Sequence, residues 1–181
     1  QLPRRPCVLV ANHASFLDGM VMFAVLPAHF GFVAKREFLD HPIARPYLRG
    51  LGVQFVERFA ARQSIEDAQW LAETVKAGAS AAVFPEGTFR RPSGLGPFHL
   101  GAFAAAAAAQ VPVLPVAIRG TRPMMRAGQW LPRRGAITVT IGSPVFPPSS
   151  ARDAFTAAVA LRDAARAHIL AYCGEHDAGA N

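Results

Sequence analysis

Apolar positions along the chain recur with two different periods. Short runs rich in β-branched and aromatic residues occupy positions 7–11, 30–34, 53–56, 81–84, 113–118 and 136–141, and each reads as a strand. Between them lie longer runs of helical period, at 15–26, 64–77, 102–110 and 150–172. In the second of these, Ile65, Ala68, Leu71, Ala72 and Val75 share one face, and Ser64-x-x-Asp67 forms its cap. The alanine monotony of 102–110 predicts helix and close packing rather than chemistry. Alternating short strands and helices predict an α/β layered domain, with a central mostly parallel or mixed sheet flanked by helices. The last helix is the least functional-looking part of the chain.

At 181 residues the chain suits one domain spanning 1–181, with no internal repeat or long linker. It opens on Gln1, and Leu2-Pro3-Arg4-Arg5-Pro6 leads at once into the first strand. This start predicts a trimmed chain that lacks an N-terminal membrane-anchoring segment. No apolar run reaches the roughly 18 residues of a membrane-spanning helix, and no charged-then-apolar leader in these residues resembles a signal peptide. The expected location is the cytoplasmic face of a membrane, held peripherally or through a segment missing from this sequence. Net charge is +7, carried almost wholly by arginine, since Lys35 and Lys76 are the only lysines. Such a surface favours phosphate-bearing partners, although the same bias fits the nucleotide composition of a source genome. Neither an aromatic RNA-binding signature nor a zinc finger accompanies it, so nucleic acid is not an expected partner. Cys7 and Cys173 stand far apart, outside any metal-ligand spacing, and read as reduced, buried thiols in a cytosolic protein.

Proline and glycine cluster at 85–101 and 119–135, each directly after a strand. Loops at strand carboxyl ends are where open α/β sheets place ligands, and the turn after the first strand is a third such loop. That turn reads Asn12-His13-Ala14-Ser15-Phe16-Leu17-Asp18-Gly19. Histidine is the side chain best matched to taking a proton near neutral pH, and a carboxylate on its other ring nitrogen fixes the tautomer. Five residues along one helix would place two side chains about 140° apart. His13 is therefore expected in the strand-to-helix turn, with Asp18 in the first helical turn folding back on it. Ser15-x-x-Asp18 also has the form of a capping pair, which leaves Asp18 a structural role as well.

Three further runs follow. Phe84-Pro85-Glu86-Gly87-Thr88 ends a strand and offers a carboxylate, a hydroxyl and a glycine that permits close backbone approach. Gly52-Val53-Gln54-Phe55-Val56-Glu57-Arg58 ends in an arginine able to grip a phosphate through two donors. Val111-Pro112-Val113-Leu114-Pro115-Val116-Ala117-Ile118 reads as an apolar strand and a pocket wall.

In this order the four blocks resemble the glycerolipid acyltransferases typified by 1-acylglycerol-3-phosphate acyltransferase. That family carries N-H-x4-D, then G-x-x-F-[IV]-x-R, then F-P-E-G-T, then a V-P-[VI]-x-P-V-A strand. The match runs from Asn12 to about Thr121, and the residues beyond Ile141 add nothing to it. The resemblance implies His13 as general base, Asp18 as its orienting partner, and Arg58, Glu86, Gly87 and Thr88 in acceptor binding. The family's arginine after the threonine is here Phe89, which leaves Arg90 as the nearest candidate. His99 stands where many relatives carry lysine.

The implied reaction moves a fatty acyl group to the free hydroxyl of 1-acylglycerol 3-phosphate, giving phosphatidic acid. The acyl donor is a thioester of coenzyme A or acyl carrier protein, and no cofactor is expected. No serine sits in a G-x-S-x-G setting, so direct attack of the hydroxyl on the thioester is expected over an acyl-enzyme. Phe89 and His99 keep open glycerol 3-phosphate or a non-phosphorylated lyso-lipid as acceptor. A condensation-type H-H-x3-D-G centre is excluded by Ala14. A third alternative is a non-catalytic lipid-binding module. Membrane contact has its own candidate segment at 119–134, where Met124, Met125, Trp130 and Leu131 are interleaved with Arg122, Arg126, Arg133 and Arg134.

Overall fold

The computed structural model describes residues 3, 5–27, 30–32, 63–87, 92–125 and 131–179, without the side chains of 31, 32 and 63–67. Five strands form one sheet: β1 (Val8–Ala11), β2 (Phe30–Phe32), β3 (Ser80–Val83), β4 (Val113–Arg119) and β5 (Thr138–Ile141). Five helices accompany them: α1 (Leu17–Val25), α2 (Gln63–Lys76), α3 (Gly101–Ala109), the single turn α4 (Thr121–Met124) and α5 (Ala154–Cys173). The expected strand at 53–56 lies outside the described residues.

Strand order is β2-β3-β1-β4-β5. The first four strands in this order pair in parallel, and β5 closes the edge antiparallel to β4. The sheet is thus mixed, as the alternation of elements predicts.

The strands of the sheet's centre are buried on both faces, as parallel strands covered by helices must be. Their period of two splits the core. Val8 and Val10 of β1, Ala81 and Val83 of β3, and Val113 and Ala117 of β4 join one cluster with residues of α2, α3 and α5. Cys7, Leu9, Ala11, Ala82, Leu114, Val116 and Ile118 join the other, closed by Met22 and Leu26 from α1 and its end. Leu161 and Ile169 of α5 are wholly buried, and burial of such a side chain stabilises by about 1.5–3 kcal/mol. The alanines of α3 serve close packing: Ala105, Ala106 and Ala107 are buried beside Phe103. Both cysteines are free and buried, and burial pushes both thiols above their ordinary range.

Pro115 sits mid-strand in β4, where a missing N–H ordinarily breaks a ladder. Here its carbonyl accepts from Gly142 N–H at 2.8 Å, just past β5, whose pairing with β4 begins at Val116. The proline thus falls in the gap between that ladder and the isolated bridge from Val113 to Val145. Helix α5 begins at Ala154 rather than 150 because Asp153 caps it, its Oδ1 accepting from Thr156 N–H at 2.7 Å.

Candidate active site

β1 lies between β3 and β4, so the carboxyl ends of three parallel strands meet at one edge. Asn12 ties the first of these loops to β4. Its amide nitrogen donates to Ile118 O at 2.9 Å, and its Oδ1 accepts from Ile118 N–H at 2.7 Å. Two hydrogen bonds on a wholly buried amide fix where the chain leaves the sheet.

The next residue is His13, and the helix has not yet begun. Asp18, one residue into α1, folds back and places its Oδ2 3.1 Å from His13 Nδ1. The same oxygen accepts from Ala14 N–H at 2.6 Å and Ser15 N–H at 2.7 Å. Asp18 is thus both cap and partner to the imidazole, and the two roles expected from its spacing coexist on one atom. Its side chain is fully buried, whereas that of His13 keeps 11% exposure. Asp18 Oδ1 is buried with no hydrogen-bond partner among the described residues. Ser15 Oγ accepts from Leu17 N–H at 3.2 Å and donates to Met125 O at 2.7 Å, fastening this turn to the end of α4.

Glu86, three residues beyond β3, arrives at the same point because β3 neighbours β1. Its Oε1 accepts from His13 N–H at 2.7 Å and its Oε2 from Gly96 N–H at 2.9 Å. Burial raises the Glu86 carboxyl above its ordinary value, opposed by these two donors and by the nearby His13 and Arg122. Phe84 lays its ring on the His13 imidazole, centroids 4.3 Å apart and planes at 19°. Gly87 adopts φ +74°, a region that disfavours any side chain, and a Cβ there would meet His99 Cδ2 at 3.3 Å. His99 N–H donates to Pro85 O at 2.9 Å, which seats this exposed histidine beside the Glu86 turn.

Of the expected site residues, the structure therefore brings together His13, Asp18, Glu86 and Gly87. Arg58, Thr88 and Arg90, like Phe89, lie outside the described residues. The 119–134 segment is divided in use. Leu131 is 81% exposed, but Arg122 turns inward, its Nε donating to Glu175 Oε1 at 2.6 Å and Nη1 to Pro92 O at 3.3 Å. Gly96 and Glu175 are contributors that sequence reasoning did not single out, and neither carried a signal. The sequence presents Asn12 only as the opening of its block and Arg122 only as a membrane-contact arginine, whereas the structure uses both to fasten the site. Among the described residues, no group of side chains could hold a metal ion, and no helix is long and apolar enough to cross a membrane.

The mixed sheet presents a His–Asp pair and a half-buried glutamate at the carboxyl edge of its parallel strands, and comparison with known proteins gives the chain's family. The model of the family described as Acyltransferase covers residues 1–119, and the chain belongs to that family. It is 35% identical over 142 residues to the chloroplastic 1-acyl-sn-glycerol-3-phosphate acyltransferase BAT2 of Brassica napus, covering 78% of this chain and 41% of that protein. To the human 1-acyl-sn-glycerol-3-phosphate acyltransferase beta it is 34% identical over 139 residues, covering 76% and 50% respectively. The chain thus spans about two fifths to one half of the length of these curated relatives. The crystal structure of the 1-acyl-sn-glycerophosphate (LPA) acyltransferase PlsC from Thermotoga maritima superposes with a TM-score of 0.68 at 26% identity, covering 92% of this chain and 68% of that one.

Proposed function

We propose that this chain is the catalytic domain of an O-acyltransferase that converts 1-acylglycerol 3-phosphate to phosphatidic acid. The observation that carries the reading is the 3.1 Å contact from His13 Nδ1 to a buried Asp18 carboxylate. An ionised carboxylate there holds the ring proton on Nδ1 and directs the Nε2 lone pair to act as base. His13 takes the proton of the acceptor hydroxyl as its oxygen attacks the thioester carbonyl. The C–O bond forms, the C–S bond breaks, and the departing thiolate takes the proton back from His13. Acyl-coenzyme A or acyl carrier protein supplies the thioester, and no further cofactor enters. Asp18 stabilises the imidazolium and Glu86 fixes the His13 backbone. Acceptor binding is assigned to Gly87, Thr88, Arg58 and Arg90 from the motifs that carry them, with the arginines as the groups suited to its phosphate. A lyso-lipid acceptor fits a reaction at a membrane surface, and the cytoplasmic face is part of the proposal. The exposed Leu131 beside Arg133 and Arg134 suits contact with headgroups.

The test is acyl transfer by the purified chain from acyl-coenzyme A and from acyl carrier protein, with products identified by mass. Acceptors are 1-acylglycerol 3-phosphate, glycerol 3-phosphate and an unphosphorylated lyso-lipid. Phosphatidic acid as main product, lost in His13→Ala, supports the reading. Arg58→Lys and Arg90→Lys should weaken phosphorylated acceptors by roughly ten- to a hundredfold in kcat/KM, the size of a lost charge-assisted contact. Equal losses on both acceptor types would redirect the assignment to a non-phosphorylated lyso-lipid.

A further inference from the structure

The family match ends at residue 119, yet the chain's last described segment returns to the site. Gly174 caps α5 in the left-handed region at φ +75°, turning the chain back toward the loop that follows the Glu86 turn. Leu95 N–H donates to His176 O at 2.8 Å, and Ala178 N–H to Leu95 O at 3.0 Å, a parallel bridge between the two segments. Glu175 joins three pieces: Oε2 accepts from Gly94 N–H at 2.7 Å while Oε1 accepts from Arg122 Nε at 2.6 Å. Asp177 grips Arg166 of α5 through both carboxylate oxygens, at 2.9 and 2.5 Å, and Arg166 Nη2 also reaches Leu95 O at 3.2 Å. Glycines allow the close approach. A Cβ on Gly94 would lie 2.6 Å from Ala178 Cβ, and one on Gly179 3.0 Å from Pro97 N.

The loop held this way is the one whose Gly96 N–H binds Glu86, and Glu86 in turn binds His13 N–H. We propose that Glu175 and Asp177 are positioning residues for the active site. They seat Gly96 against Glu86 Oε2, so that the carboxylate is held from both sides and fixes the His13 backbone. The inference rests on the reading of His13 as general base, which the kinetic half of the test uses and the exchange half does not.

The test compares the full chain with Glu175→Gln, Asp177→Asn and the double variant. Backbone amide hydrogen exchange is followed at Val8–Ala11, His13 and Leu95–Gly96, with kcat and KM for acyl transfer to 1-acylglycerol 3-phosphate. Expected in the double variant are unchanged protection at Val8–Ala11 and faster exchange at both Gly96 and His13. A fall in kcat of roughly tenfold or more should accompany it with KM nearly constant, the mark of a displaced reacting group. Faster exchange at Leu95–Gly96 with His13 protection and kcat unchanged would overturn the proposal and leave the tail a merely structural clasp. Wild-type exchange at both positions would overturn it as well. If the double variant loses protection at Val8–Ala11, the single variants decide by the same criteria. If wild-type chain transfers no acyl group, the functional reading fails, and exchange at His13 alone decides the positioning role.

Discussion

Two carboxylates stand within reach of the same histidine, and they are held by opposite means. Asp18 takes its hydrogen bonds from His13, Ala14 and Ser15, all within five residues of itself. Glu86 takes one from a residue 73 positions earlier and one from a loop fastened by the end of the chain. The hydrogen bonds that Asp18 accepts are local, made between the end of β1 and the start of α1, although Asn12 and Ser15 tie the turn to β4 and to the end of α4. The Glu86 arrangement exists only once β3 has paired with β1 and the segment after α5 has returned. A mutation that loosens tertiary structure should therefore reach Glu86 before it reaches Asp18.

The sharpest division between the two comes from their chemistry. His13→Ala should lower kcat by about 10² to 10⁴, the usual worth of a positioned base, in a protein that still folds, since the ring lies outside both core clusters even though it stacks on Phe84 and pairs with Asp18. Near-normal turnover in folded His13→Ala protein would remove the base from the mechanism. Asp18→Asn comes next. Asparagine retains an oxygen for the Ala14 and Ser15 amides but cannot stabilise an imidazolium, so kcat should fall by roughly a hundredfold or more while Tm shifts modestly. Loss of Tm without loss of rate would show that Asp18 is only a cap.

Glu86 should reveal itself through pH rather than through a single rate. Burial lifts its folded-state pKa above the ordinary 4.5, so the native chain holds this proton more tightly than the unfolded chain does. Its contribution to stability is then full below pH 4.5 and is lost as pH climbs through the raised folded value. Tm measured against pH should show wild type losing ground to Glu86→Gln across that interval, and parallel curves would mean that Glu86 is not desolvated as the geometry indicates. The smallest effect belongs to a pair remote from both carboxylates. Arg162 and Asp163 meet at 2.8 Å, but Asp163 is 60% exposed, so Asp163→Asn should change stability by no more than about 0.5 kcal/mol and leave kcat unaltered. A larger change in either would show that α5 couples to the site by more than its tail.

The sequence by itself determined the elements and the local half of the site. Short apolar runs located β1, β3 and β4 and helical-period runs located α1, α2, α3 and α5 to within a few residues, because a strand buried on both faces is apolar throughout and a helix buried on one face carries its period. The His13–Asp18 contact was legible for a related reason: five residues across a strand-to-helix turn leave few ways for the two side chains to meet. Tertiary structure alone decided the rest. Nothing near Glu86 in the chain announces that its Oε1 is held by His13, since that depends on β3 lying beside β1. Arg122 reads as a surface cation until Glu175 and Pro92 are seen to engage it. The segment after α5 has no periodicity or motif, and its hydrogen bonds to Gly94 and Leu95 span some 80 positions. Contacts between backbone groups so far apart leave no pattern in the residues that make them, because every residue but proline carries the same N–H and every residue the same carbonyl.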